Sequence, residues 1–330
     1  MANALNYAKE YSRALSQMFP YVLNFGALYS TPNNNRYRWV NAKTIEIPSI
    51  STTGRVNANR DTVAFAQRNY DNAWETKALS NERKWSTLVH PMDIDQTNMV
   101  TTIANITQVF NEEQKFPEMD AYTISKIFND WVETRNPRTG EIHTPDTTLL
   151  TEESILGVFD ELMLKMDNAM VPANGRILYC TFEVQKLLKT AEKISRSMDI
   201  TSGPNAIDRR VNRLDQVQII GVPSTLMKTL YDFSIGYQPE DSASQVNMFL
   251  VHPLAVITPV SYTFSRLDEP SAMSEGKYTY YEESFEDVFI LNKKSDAIQF
   301  NITEGSTTET TETTETTETT ETTETTETTE

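Results

Sequence analysis

Cysteine is almost absent from this chain: Cys180 is the only one in 330 residues. A single thiol excludes an intrachain disulfide framework and gives no reason to place the fold in an oxidising compartment. Long apolar runs are missing as well, and no window approaches the ~18 consecutive apolar residues that cross a membrane. The opening "MANALNYAKEYSRALSQMFP" lacks the basic start and unbroken apolar stretch of a secretory leader. Synthesis in a reducing cytosol is therefore expected. Histidine is scarce: His90, His143 and His252 stand in separate segments, without HxxxH or HExxH spacing. Glu141, His143 and Asp146 in "GEIHTPD" come nearest to a metal-ligand set, but a polar hairpin tip is by far the better account of them. Asp93 and Asp95 lack the glycine and distal glutamate of a calcium loop. Gly175 and Gly221 stand alone, so no phosphate-cradling loop exists, and no serine sits in GxSxG. Cys180 lies in an apolar strand candidate and reads as an inert thiol. Neither catalytic residues nor a metal or cofactor is expected, and the chain does not read as an enzyme.

Basic residues are also few. The chain has 29 Lys and Arg against 46 Asp and Glu, for a net charge of −17. Residues 307–330 repeat Thr-Thr-Glu eight times, which leaves 38 acids against 29 bases, or −9, on the body. So acidic a body repels phosphate backbones, and direct nucleic-acid readout is excluded as its main business. The repeat carries no apolar residue and a charge at every third position, so it cannot offset the entropy of ordering and is expected to be disordered.

What is present is a mixture of periodicities. Tyr7, Tyr11, Leu15 and Met18 predict a short amphipathic helix over 4–19. "KTIEIPSI" alternates as a strand. Val100, Ile103, Ile106 and Phe110 have helical spacing, and after a break at Phe116–Pro117 a stronger helix carries Ala121, Ile124, Ile127, Phe128 and Trp131. "NPRTGEIHTPDT" reads as a loop or small hairpin. Thr151 is placed as the cap of a helix with Ile155, Phe159, Leu162, Met166 and Met170 on one face. "RILYCT" is a buried strand, and Phe182 to Lys193 a helix. "VQIIGVP", "NMFLVHPLAVITPV", "KYTYYEESF" and "DVFILNKKSDAIQFNI" are strand-like. The class is mixed α+β, because βα alternation is confined to the middle.

The least ordinary stretch is "VAFAQRNYDNAWETKALSNERKW", residues 63–85. It has neither helical spacing nor clean alternation, yet aromatics recur through it. Its partner strand is expected in "KWSTLVHPMDID". Arg55, Arg60, Arg68, Lys77, Arg83 and Lys84 face Asp61, Asp71, Glu75 and Glu82, so this arm is +2 inside a body of −9. A long two-stranded ribbon without an apolar face is marginal alone in water. Spaced aromatics with arginines are the composition of protein–protein interfaces. The arm is therefore expected to find its partner surface on another copy of the chain; an active-site lid has no chemistry here to cover.

The ordered series "AKTIEIPSI", "ETKALSNERKWSTLVHPMDIDQTN", "FPEMDAYTISKIF", "FLVHPLAVITPV" and "YTYYEESFEDVFILNKK" resembles the major capsid proteins of tailed bacteriophages with the HK97-type fold. The resemblance covers about residues 40–303. It implies an N-terminal arm (1–40), a strand and extended E-loop hairpin (41–90) and a peripheral domain with a long spine helix (91–150). An axial domain (151–260), closing strands of the peripheral domain (261–304) and the acidic tail (305–330) would follow. The E-loop would lie over a neighbouring subunit through Arg55, Arg60, Arg68, Trp74, Glu75, Lys77, Glu82 and Arg83. Arg209, Arg210 and Arg213 would stand at the capsomer centre, and Ile124, Ile127, Phe128 and Trp131 would form the spine-helix core. The implied assembly is a homo-oligomer of pentamers and hexamers closing an icosahedral shell around double-stranded DNA. It would form in the host cytoplasm with a separate scaffolding protein, a portal and decoration proteins. Some members join subunits by a Lys–Asn bond; Lys77 lies in the arm, but the sequence identifies no partner for it. The alternatives are an encapsulin-like protein compartment, a metal-dependent hydrolase at Glu141, His143 and Asp146, and a surface adhesin resting on the Thr-rich tail.

Overall fold

The computed structural model describes residues 21–55, 57, 68–97, 101–191 and 211–304. The expected helix at 4–19, Arg60, Arg209, Arg210 and the repeat tail lie outside the described residues. The first half of the chain runs α1 (Gly26–Tyr29), β1 (Arg38–Asn41), β2 (Thr44–Thr52), β3 (Tyr70–Ala78), β4 (Glu82–Val89), α2 (Pro91–Gln96), α3 (Ile103–Phe110), α4 (Phe116–Glu133) and α5 (Ile155–Asn168). The second half runs β5 (Ile177–Thr181), α6 (Phe182–Thr190), β6 (Arg213–Leu214), β7 (Val217–Val222), β8 (Tyr231–Asp232), β9 (Gln238–Pro239), β10 (Gln245–Val251), β11 (Val256–Ile257), β12 (Val260–Asp268), β13 (Tyr278–Glu286), β14 (Phe289–Ile290) and β15 (Ile298–Thr303).

A five-stranded sheet in the order β15-β10-β5-β7-β6 forms the centre. Its central strands, β5 and the second half of β10, read as near-continuous apolar runs because both faces are covered. Along β5, Ile177 and Tyr179 join one core with Ile124, Ile127 and Trp131 of α4, whereas Leu178 and Cys180 join a second with Phe159, Leu162 and Leu188 of α5 and α6. β10 divides the same way, Phe249 and Val251 to one side and Met248 and Leu250 to the other. Burial pushes the Cys180 thiol up to about 12, which fits its inert reading. The two lone glycines are geometric. Gly175 has φ +90°, and a Cβ at Gly221 would stand 2.7 Å from the Phe182 ring where α6 crosses β7.

The expected break at Phe116–Pro117 is not a break. α3 runs through a π-helical stretch, Asn111–Lys115, directly into α4. The Phe116 N–H reaches back five residues to Asn111 O, and that wider turn gives the pyrrolidine ring of Pro117 room it would lack in a regular helix. The spine is thus longer than expected. On α4, Ile124, Ile127 and Trp131 are buried and Phe128 is partly so. Trp131 donates Nε1–H to Ser295 O at 3.2 Å, and Phe128 meets Phe300 edge-on at 5.2 Å.

Other expectations are adjusted by particular contacts. Thr151 makes reciprocal hydrogen bonds with Ser154 in the turn before α5, whose cap is Ser154 itself. Met170 is not on the core face. α5 closes with Met170 N–H on Asp167 O and Val171 N–H on Met166 O, a Schellman arrangement that puts Met170 at φ +55° and leaves it exposed. "VHPMDID" is no strand beyond Val89: His90 Nδ1 accepts from Met92 N–H and starts α2, as His252 Nδ1 does for Leu254 N–H in the second "VHP". The closing strands divide, β13 pairing with β12 on one side and β4 on the other while β15 enters the central sheet beside β10.

Asp120, on the spine, fixes the start of the described chain. Its carboxylate accepts from Tyr21 O–H at 2.6 Å and from the N–H groups of Asn24 and Phe25 at 2.8 and 3.2 Å. Burial outweighs these bonds and raises its pKa to about 6. The folded state therefore holds a proton that the unfolded chain has released between the ordinary aspartate value and about 6, so this contribution is present at acid pH and lost as pH rises through about 6. Urea unfolding at pH 4.5 and 7.5 should show Asp120→Asn losing less stability with rising pH than the native chain. Ile127→Ala should lower stability by about 2–5 kcal/mol in the same assay.

Candidate subunit interface

The arm is a hairpin, but its partner is not the strand the sequence suggested. β3 pairs antiparallel with β2, from Thr44 opposite Ala78 to Thr52 opposite Tyr70, while β4 pairs with β13. β2 qualifies because its Ile45-Ile47 alternation buries the root of the hairpin: Ile45 and Leu79 pack with Ile257, Phe285 and Phe289. Beyond the root the described residues of the ribbon form no core. Ile50 is 68% exposed, Tyr70 55% and Trp74 50%. The aromatics are dressed by cations instead, Arg38 lying 5.4 Å from the Trp74 ring and Arg68 5.2 Å from that of Tyr70. Such contacts at exposed sites contribute about 0.5–1 kcal/mol, too little to replace a core.

The root is fastened by polar contacts. Lys77 Nζ lies 3.0 Å from Asn292 Oδ1 and 3.2 Å from Glu75 Oε1, and the Asn292 N–H donates to that same carboxylate at 3.3 Å. Lys293 Nζ donates to Ile50 O at 3.0 Å. Ser80 N–H and O–H both donate to the buried Asp287, whose other oxygen accepts from Tyr122 on the spine. The expected interface residues therefore fall into two groups. Arg55, Arg68 and Trp74 are exposed, and Glu82 is exposed beside Lys43 at 3.4 Å. Glu75 and Lys77 turn inward to their own chain, and Arg83 is pinned 2.6 Å from Glu118. Arg60 lies outside the described residues. Asn292 and Lys293 were missed, because they stand more than 200 residues from the arm and "LNKK" carries no sign of it.

Arg213 begins the two-residue edge strand β6 and is exposed; Arg209 and Arg210 are not described. Glu141, His143 and Asp146 are not brought together as ligands. His143 stacks on Trp131 at 4.9 Å with Nε2 2.9 Å from Ser295 Oγ, and Asp146 accepts from Asn301 Nδ2 at 2.8 Å. Burial lowers the His143 pKa. Among the described residues no group of His, Cys, Asp and Glu is arranged to hold a metal ion. No described helix is long and apolar enough to cross a membrane.

No protein-family model matches the chain, and no curated protein matches its sequence. Its structure is similar to the capsid structure of the cyanophage P-SCSP1u, with a TM-score of 0.66 and 12% identity over 91% of this chain and 93% of that one. It is also similar to the mature capsid of bacteriophage PhiM1 (TM-score 0.64, 12% identity, 91% and 92% covered). The head structure of the Helicobacter pylori bacteriophage KHP40 matches with a TM-score of 0.58 at 9% identity, covering 90% and 95%. The fold is thus that of phage capsid proteins, in agreement with the HK97-type resemblance of the sequence.

Hydrogen bonds to charged groups contribute about 1.5–3 kcal/mol, and every ~1.4 kcal/mol is tenfold in an equilibrium. Lys77→Met should accordingly speed amide hydrogen exchange in β2 and β3 by about tenfold, with the central sheet unchanged.

Proposed function

We propose that this chain is the shell subunit of a phage capsid, assembling with copies of itself as pentamers and hexamers into a closed icosahedral particle around double-stranded DNA. The reading is carried by one observation: the likeness to phage capsid structures runs end to end, over 91% of this chain and 93% of the cyanophage one. The hairpin supports it, since an apolar and aromatic ribbon without a core gains stability only against another surface. The charge supports the enclosed cargo. A wall with 38 acids to 29 bases outside the tail does not grip densely packed DNA. Assembly would use a separate scaffolding protein and a portal in the host cytoplasm, and decoration proteins would add to the finished virion. No chemistry is assigned to the chain.

Negative-stain microscopy of the expressed chain, alone and with the scaffold encoded beside it, should show closed particles of uniform size; only single subunits under both conditions would reject the proposal. Nuclease-protected double-stranded DNA in particles from infected cells separates a DNA container from a protein compartment. Ile50→Ser combined with Trp74→Ser should lower unfolding stability by no more than about 1 kcal/mol, the Arg38 contact on Trp74 included, because both side chains are exposed. Particle yield should fall at least about tenfold, as loss of two anchors of ~1–2 kcal/mol each requires.

A further inference from the structure

Two further surface features stand outside the arm itself. The first is a hole of about 290 Å³ between the end of α5, the turn after His252 and the turn at Asn292–Ala297. Its floor is apolar, with Val171, Pro172, Ala255 and Ala297. Arg138, Lys293 and Lys294 stand around it. One carboxylate, Asp296, lies 3.7 Å from Arg138. The two lysines instead point their ammonium groups at carbonyl oxygens, Ile50 O and Leu254 O, each at 3.0 Å. Cations outnumber acids here, in a chain whose net charge is −17. The left-handed, exposed Met170 stands on the rim.

The second feature is a knob. The turn joining β12 to β13 holds Met273 at 96% exposure. The turn itself is ordered: Gly276 N–H donates to Ser271 O at 2.9 Å, Lys277 N–H to Ser274 O at 3.0 Å, and the Ser271 and Ser274 side chains cross-bond. Three acids flank it. Asp268 pairs with Arg266 and Glu275 with Lys277, while Glu269 has no ion-pair partner among the described residues. An unbranched apolar side chain at the apex of an ordered turn is suited to filling an irregular apolar gap.

We infer that a second copy of this chain fills the hole: Met273 at the hairpin tip of one subunit seats on the apolar floor of its neighbour, with Glu269 and Glu275 against Lys293 and Lys294. Apolar meets apolar and acid meets base on both sides. The contact joins unlike surfaces, the head-to-tail kind that closes into rings, and it rests on the shell reading. The Thr-Thr-Glu tail is the rival occupant; it supplies carboxylates but no apolar group for the floor.

The test is disulfide trapping in particles of the full-length chain carrying Met273→Cys and Met170→Cys, the native Cys180 being buried. Mild oxidation should convert most subunits to a ladder of linked multimers, and neither single variant should do so. Met273→Asp should lower particle yield at least about tenfold without shifting the unfolding midpoint. Intact particles that give no ladder, with native yield from Met273→Asp, overturn the contact and leave the shell reading standing. Disulfide-linked dimers from Met273→Cys alone put tip against tip and also overturn it. So does acetylation of Lys293 and Lys294 that appears in particles only after truncation at Glu304, since the tail then fills the hole. Failure of the unaltered chain to form particles rejects the shell reading and the contact together.

Discussion

The described structure depends on a central sheet buried on both faces. Because α4 covers one side and α5 with α6 the other, each apolar residue of β5 and β10 is committed to one of two cores, and a slip of one position would exchange them. That constraint fixes the spine helix against the sheet through Trp131 and Phe128 on Phe300. It also fixes Asp287 and Asn292, which follow β13 and β14 and hold the root of the hairpin. The arm's direction is in this sense set by the body, on which the root buries Ile45 and Leu79 in a third, smaller cluster with Ile257, Phe285 and Phe289.

Elements with a strong period were legible before the structure. The spine carries four or five apolar residues on one face, and "RILYCT" is apolar throughout, so neither had a competing assignment. What was not legible depends on choices among partners. The arm stretch was expected to pair with "KWSTLV", the next strand-like run; yet β4 is drawn to β13, and its Trp85 stacks on Phe110 at 3.9 Å. Met170 sits where a glycine usually marks a helix end, so the periodic pattern ran one residue group too far. Pro117 was read as a start because a proline inside a helix normally breaks it, and only the π turn ahead of it removes the clash.

The side chains of the arm were harder to read for a different reason. Composition identifies an arm rich in arginine and aromatics but not which side chain points inward. Glu75 and Trp74 are neighbours on β3 and face opposite ways, one toward Asn292 and the other to solvent. Lys77 shares the inward face of Glu75, two residues on, and Arg83 is claimed by Glu118. The register that decides this depends on pairing with β2, which composition does not show.

The division has a consequence for assembly on the proposed reading. A nine-residue strand spans about 30 Å, so small rotations at the root become large displacements at the tip. A root held by Lys77, Glu75, Asn292 and Asp287 limits those rotations, whereas a ribbon with a core of its own would be stable whether or not a neighbour was present. Keeping the root apolar and bonded, and the blade bare, separates the two demands. The direction is paid for within one chain, and the free energy of covering Ile50, Tyr70 and Trp74 is released only when a second surface arrives. Assembly then follows subunit concentration steeply, because each arm gains nothing until it is met.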